Sequence, residues 1–234
     1  ETFQVNVKVN GVSSMMLFQE DAQKELLERN YRREGPIFEG DESLLWSFED
    51  FNLFELEDLS LAKLQNPKWF MKGESSARIT LAAYARLQGS YINYSNSESS
   101  NGYNLFPNSR ADQIFQDYSY IIFSMNGAHA LRPHNRRVYF NSFLNKFEPI
   151  YYDGNFRLDN ILTTSGAEPA LDMFKRSYIF PNLLELRSQS FEDRVLSRFK
   201  ERILRYGSSE SKFFRQSFTQ ILKNSVVLSE LLEN

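Results

Sequence analysis

Cysteine is absent from the 234 residues. That excludes disulfide scaffolds, thiol nucleophiles and zinc-thiolate sites, and it leaves the redox compartment open. Histidine is nearly absent. The only two, His129 and His134, share one short segment, so any imidazole chemistry must be done there. Tryptophan is scarce, with 2 residues against 21 Phe and 12 Tyr, which predicts a phenylalanine-rich core. No uncharged run reaches the roughly 20 apolar residues that a membrane-spanning helix needs. The longest, Tyr118 to Leu131, also contains Ser, Asn, Gly and His. Glu1-Thr2-Phe3 is the wrong start for a signal peptide, although a signal already removed would leave the same start. Neither sign of charge prevails. With 27 basic and 30 acidic residues the net charge is −3, which gives no global attraction to nucleic acid or anionic lipid. Nucleic acid is therefore not an expected partner.

What remains is an ordinary globular composition, 41% hydrophobic and 24% charged. The length suits one large domain or two small ones, and no internal repeat is visible. Phe3 to Val9 alternates apolar and polar, and Asn10-Gly11 then supplies a turn signal. Met15 to Phe18 reads as the returning strand. Asp21 can cap a helix through about Arg33, with Ala22, Leu26 and Leu27 on one face and Glu25 four residues before Arg29; Gly35-Pro36 ends it. Residues 43–73 are mixed and fit no single element. A helix over about Ser75 to Leu87 is followed by a Ser- and Asn-rich stretch, Gly89 to Ser109, that reads as a long loop.

Ser109-Arg110-Ala111-Asp112 resembles a capping box. It opens a helix carrying Ile114, Phe115, Tyr118, Ile121, Ile122 and Met125, which Asn126-Gly127 can stop. Two strands follow, at about Arg137–Asn141 and Phe147–Tyr152. The rest is helical: Pro169 to Arg187 with a break at Pro181, a helix opened by Ser190, and a last one from about Ser211 to Leu232. The order predicts an α+β fold whose second part is mainly helical.

One stretch carries candidate chemistry. Asn135 stands just before the first strand of the mid-chain hairpin and Asp153 just after the second. The two ends of a hairpin share one open mouth, with cross-strand neighbours about 5 Å apart. Two hard oxygen donors there suit Mg²⁺, which takes one or two protein ligands and completes its shell with water and phosphate oxygens. The plainer reading is that Asn, Asp and Gly gather at strand ends because they make turns. Arg132, Arg136 and Arg137 form a local basic cluster that suits phosphate or acids brought near by folding. No glycine-rich phosphate loop, H-E-x-x-H or G-x-S-x-G motif is present, and the acids between Glu49 and Asp58 lack calcium-loop spacing.

These residues carry a resemblance. His134-Asn135-Arg136-Arg137-Val138-Tyr139-Phe140, then Phe147-Glu148-Pro149-Ile150-Tyr151-Tyr152-Asp153-Gly154, resembles the core of the CotH family of spore-coat-type atypical kinases. Val5 to Gly11, Leu17-Phe18-Gln19-Glu20 and Asn30 to Phe38 are similar to that family's opening. The resemblance covers about 1–40 and 115–156. It implies an atypical protein-kinase-like fold, with a partial small β lobe and hinge-like segment in 1–40. The mainly helical large lobe would be 41–234, with a catalytic-loop-like hairpin at 135–156. It also implies ATP and Mg²⁺ as cofactors and phosphoryl transfer to protein Ser or Thr. Asn135 matches the catalytic-loop asparagine and Asp153 the metal-binding aspartate, which in kinases hold the Mg²⁺ ions. Glu20 would lie near the nucleotide, with an ordinary surface carboxylate as its alternative, and Arg136 would approach phosphate.

Three departures accompany the match. The family's aspartate before the asparagine is missing, and Gly127-Ala128-His129-Ala130-Leu131 stands there. His129 is then either a base or a structural histidine at a helix end. The family's second acid after the metal aspartate is replaced by Asn155, which can ligate a metal but brings no charge. The family's nucleotide-binding lysine belongs to a strand before the one that opens this chain, and Lys8 is a poor substitute. The competing expectation is therefore a catalytically inactive pseudokinase or an interaction module of a coat or cell envelope. A protein substrate or coat protein is the expected partner, and an envelope, secreted or spore-coat location follows from the family.

Overall fold

The computed structural model describes residues 2–41, 62–96, 110–131, 135–158 and 211–233. Over these the chain is α+β: two small antiparallel sheets with helices packed beside them. The helices expected over 169–206, the capping Ser109, and Arg132 and His134 lie outside the described residues.

The first sheet is the hairpin β1 (Thr2–Val9) and β2 (Val12–Gln19). Asn10 and Gly11 both take positive φ, 50° and 84°, the backbone of a tight two-residue turn that matches strand twist. The register pairs Val5 with Met16, Val7 with Ser14 and Val9 with Val12, so the valines share a face. Met15 and Val12 are largely exposed, at 65% and 70%.

A single helical turn and a half, α1 (Lys24–Arg29), follows. It is shorter than the Asp21–Arg33 helix that the pattern predicts. Its start is later, because Asp21 Oδ1 accepts from the adjacent Ala22 N–H and Gln23 holds the N-cap position without a side-chain bond; its end is also earlier. The Tyr31 N–H donates to the Glu28 carbonyl and the Arg32 N–H to the Leu27 carbonyl, with Tyr31 at φ 56°. That is a Schellman stop with tyrosine where glycine is usual. Tyr31 is 90% exposed, so its ring contributes little packing to offset the left-handed backbone. Tyr31→Gly is expected to raise stability by about 0.5–1 kcal/mol in a urea titration; a loss of stability would reverse this reading of the turn.

The second sheet has the order β4-β3-β5-β6, all antiparallel: β3 (Ile37–Gly40), β4 (Ala62–Leu64), β5 (Arg137–Asn141) and β6 (Lys146–Ile150). The strand β3, from the expected small-lobe segment, is therefore an interior strand of the sheet that holds the mid-chain hairpin. It is docked by a side chain that imitates a strand. The buried Asn66 amide donates to the Gly35 carbonyl and its oxygen accepts from the Ile37 N–H. Gly35 has no room for a side chain: a Cβ there would lie 2.9 Å from the Phe140 carbonyl oxygen.

Alternation divides the sheet's residues between its faces. One face carries Phe38, Val138, Phe140 and Phe147 and packs on Ala83, Leu87 and Tyr91 of α3 (Glu74–Asn96), which follows the short α2 (Pro67–Phe70). The helix α3 runs well past the Leu87 end expected for it, through Gly89 and into the expected loop. Two of its buried hydroxyls are satisfied along the helix, Thr80 Oγ1 on the Ser76 carbonyl and Ser76 Oγ on that of Gly73. The helix α4 (Arg110–Ser124) adds Phe115 to this core and is crossed by α5 (Ser211–Glu233). The two helices are joined by Asn224 Nδ2 on the Ser124 carbonyl and Tyr120 Oη on the Ser225 carbonyl.

The other face carries Ile37 and Tyr139, covered by Ala22, Leu26 and Leu27, the trio expected to share a face. It also holds Glu148, whose carboxylate takes hydrogen bonds from Arg32 and from Asn141. Burial pushes the Glu148 pKa up, but the Arg32 and Asn141 hydrogen bonds and the charges of Arg32 and Lys146 outweigh it and hold it below the ordinary value. A depressed folded-state pKa contributes stability above the unfolded value, lost as pH falls through the folded one. Wild type is therefore expected to lose more stability than Glu148→Gln on going from about pH 7 to about pH 3. Parallel losses in thermal melts of the two proteins would remove Glu148 from the acid response.

Candidate functional site

The helix α4 ends as its sequence predicts. Asn126, at φ 53°, occupies the left-handed position, with its N–H on the Phe123 carbonyl and the Gly127 N–H on that of Ile122. The chain then makes a short 3₁₀ turn, Ala128–Leu131, that carries His129. It returns at Asn135 and enters β5. The hairpin closes through Ser142 to Asn145, with the Leu144 N–H on Asn141 Oδ1 and Asn145 at φ 50°. The strand β6 then delivers Tyr151 to Arg157 back to the end of α4. There the Arg157 N–H donates to the Met125 carbonyl, and Asn126 Nδ2 donates to the Arg157 carbonyl.

The three residues expected to do chemistry meet in this place. Asn135 is buried, 3% exposed, and its Nδ2 donates to the His129 carbonyl at 2.9 Å. His129 Nε2 lies 3.3 Å from Asp153 Oδ2, with the two side chains 41% and 52% exposed. The hairpin predicts that the Asn135 and Asp153 oxygens converge on one point. In the structure each side chain meets His129, Asn135 through its amide nitrogen at the backbone and Asp153 at the ring. His129, in the turn just past the end of α4, is thus the residue that both side chains contact.

The other expected residues divide. Asn155 sits two residues past Asp153, exposed and at φ 46°. Arg136 is half-buried and gives its Nε to the Leu131 carbonyl at 2.8 Å. Glu20, beyond the end of β2, has its carboxylate 3.2 Å from Arg29 Nη1, which turns to it from α1. Arg137 takes the acid-pairing alternative: its guanidinium lies 3.3 Å from Glu39 and 3.8 Å from Asp21, and 3.5 Å over the Tyr152 ring. Lys8 is exposed on the hairpin opposite Ser13.

Aromatic side chains that the sequence reading passed over frame Asp153. The Tyr151 ring stacks on Phe156 with centroids 4.6 Å apart, and its hydroxyl oxygen accepts from the Gly154 N–H at 3.0 Å. Burial, then the Asp153 charge, push the Tyr151 pKa up against the Gly154 bond, which pulls it down. The available signal was the pair Tyr151-Tyr152 set directly before Asp153-Gly154. Its two rings part to opposite sides, one to Phe156 and one beneath Arg137.

Among the described residues no three His, Asp or Glu side chains gather in a metal-holding arrangement. Magnesium bound with a nucleotide does not require one, because phosphates and water supply most of its shell. The donor chemistry here is one carboxylate, Asp153, and one amide, Asn135, whose nitrogen donates to the His129 carbonyl. Carboxylate and amide oxygens are the hard donor types that Mg²⁺ takes. No protein-family model, curated protein or solved structure matches the chain. No described helix is long and apolar enough to cross a membrane.

Proposed function

We propose that the mouth of the β5–β6 hairpin is a metal–nucleotide site of an atypical, CotH-like kinase fold, transferring the γ-phosphoryl group of ATP to a protein Ser or Thr. The observation that carries the reading is the meeting of Asn135 and Asp153 on His129, at the end of one hairpin and one helix stop. Asp153 and Asn135 would hold Mg²⁺, whose charge offsets that developing on the transferred phosphoryl group. Asn155 lies close enough in sequence to add an uncharged oxygen. His129 would act as the base that receives the acceptor hydroxyl proton. Positioning and charge neutralisation, rather than a covalent intermediate, then account for rate. Incubation with labelled ATP and Mg²⁺ tests this directly: incorporation into protein that Asp153→Ala removes supports it, and equal incorporation by both proteins defeats it.

A second reading, a pseudokinase acting as an interaction module of a coat or envelope, is favoured by one observation. The Asp153 carboxylate already has the His129 ring beside it, at the position where the family keeps its own acid. This reading expects ATP with Mg²⁺ to raise the melting temperature, as any native-state ligand does, without phosphate transfer.

A further inference from the structure

We infer that Tyr151 is a positioning residue for Asp153, acting through the backbone of Gly154; the inference rests on the metal–nucleotide reading for its functional meaning but not for its structural test. Asp153 is half exposed and stands at φ 41°, in the left-handed region where side-chain-bearing residues are uncommon. Asn155 repeats this two residues later at φ 46°. A turn of that kind persists only where its surroundings hold it. The hold comes from two sides.

On one side, the Tyr151 hydroxyl oxygen accepts the Gly154 N–H, tying the peptide that follows Asp153 to the residue two before it. The ring is fixed in turn by its near-parallel stack on Phe156, at an interplanar angle of 16°. On the other side, Phe156 is seated on the end of α4. A Cβ at Gly127 would fall 2.4 Å from the Phe156 ring. Gly154 is equally tight, because a Cβ there would lie 2.6 Å from the Tyr151 ring. The two glycines therefore act as the floor and the roof of an aromatic pair. The same stop that ends α4 at Gly127 begins the turn carrying His129. Tyr151 and Phe156 thus place Asp153 against an imidazole mounted on the same helix end.

The hydroxyl and the ring can be separated. Tyr151→Phe keeps the stack and removes the acceptor, so the fold should survive with a melting temperature near that of wild type. Freed of its partner, the Gly154 amide should exchange with solvent about tenfold faster or more in NMR. The His129 ring resonances should move toward those of Asp153→Ala. In the metal assay, the affinity for Mn²⁺ with ATP should fall about threefold to tenfold, the scale of one lost hydrogen bond. Gly154→Ala should reproduce these changes by displacing the ring, and adding Tyr151→Ala should relieve the clash, so that the double variant is no worse than Tyr151→Ala alone. If wild type binds no Mn²⁺, the metal–nucleotide reading falls while the exchange and ring-resonance comparisons still decide the positioning role. Unchanged Gly154 exchange and unchanged His129 resonances in Tyr151→Phe would overturn it.

Discussion

Phe147→Ala is expected to destabilise the protein by about 3–5 kcal/mol, enough to leave a domain of ordinary stability marginal. Phe147 is fully buried at the centre of the sheet's helix-facing side. Its ring lies 5.0 Å from that of Phe140 and 6.5 Å from that of Phe38, one partner from its own hairpin and one from β3. The Arg86 guanidinium covers it from α3, 5.5 Å from the ring centroid. Truncation therefore opens a cavity where three strands and a helix meet, and none of them can close it alone. Phe143, two residues into the hairpin turn and 80% exposed, is the matched control: its truncation should cost about 0.5 kcal/mol or less. Denaturant midpoints of the two variants provide the comparison, and equal shifts would mean that the core does not centre on Phe147.

On the proposed function, Asp153→Ala should reduce phosphoryl transfer by about a hundredfold to a thousandfold, the scale seen when a preorganised charge-stabilising group is removed. Asp153 is the carboxylate that meets His129 in this constellation, so the variant removes the charge that the proposed metal site depends on. Its contact with His129 is half exposed, and surface contacts of this kind contribute little to stability. The variant should fold normally, which makes lost transfer a statement about the site. Asp153→Asn preserves shape and hydrogen bonding but not charge. It should be nearly as impaired, whereas activity close to wild type would show that charge at this position is not required.

The parts of the fold that could be read from the chain are those governed by neighbours in sequence. Alternating valines and Asn10-Gly11 predict the first hairpin, and the helical stripe after Ser211 predicts α5 almost to the residue. Asn126-Gly127 is a complete stop signal because the Schellman bonds reach back only a few residues. The four-stranded sheet was not legible beyond β5 and β6. The strands β3 and β4 are short, and β3 is defined by partners far away in the chain. The extension of α3 was hidden because Gly, Ser and Asn between 89 and 96 signal a loop, yet Ser90 satisfies its hydroxyl on the Arg86 carbonyl and Gly89 meets no crowding.

At the candidate site, hairpin geometry predicts Asn135 and Asp153 at one end, and in the structure both meet His129. It did not specify His129 as the residue each would touch. That depends on where the 3₁₀ turn sets a backbone carbonyl, which no spacing of side chains encodes.

The placement of β3 bears on how the molecule is born. One neighbour in the finished sheet, β4, follows soon after it, but the other, β5, arrives much later; the Tyr139 hydroxyl of β5 reaches the Arg33 carbonyl just before β3 across 106 residues. During synthesis this strand leaves the ribosome well before β5 exists, with the flank that β5 will cover left open. The nascent chain thus passes through an interval in which one edge of Ile37 and Phe38 is open to foreign strand edges, a hazard that the stability of the finished fold does not remove.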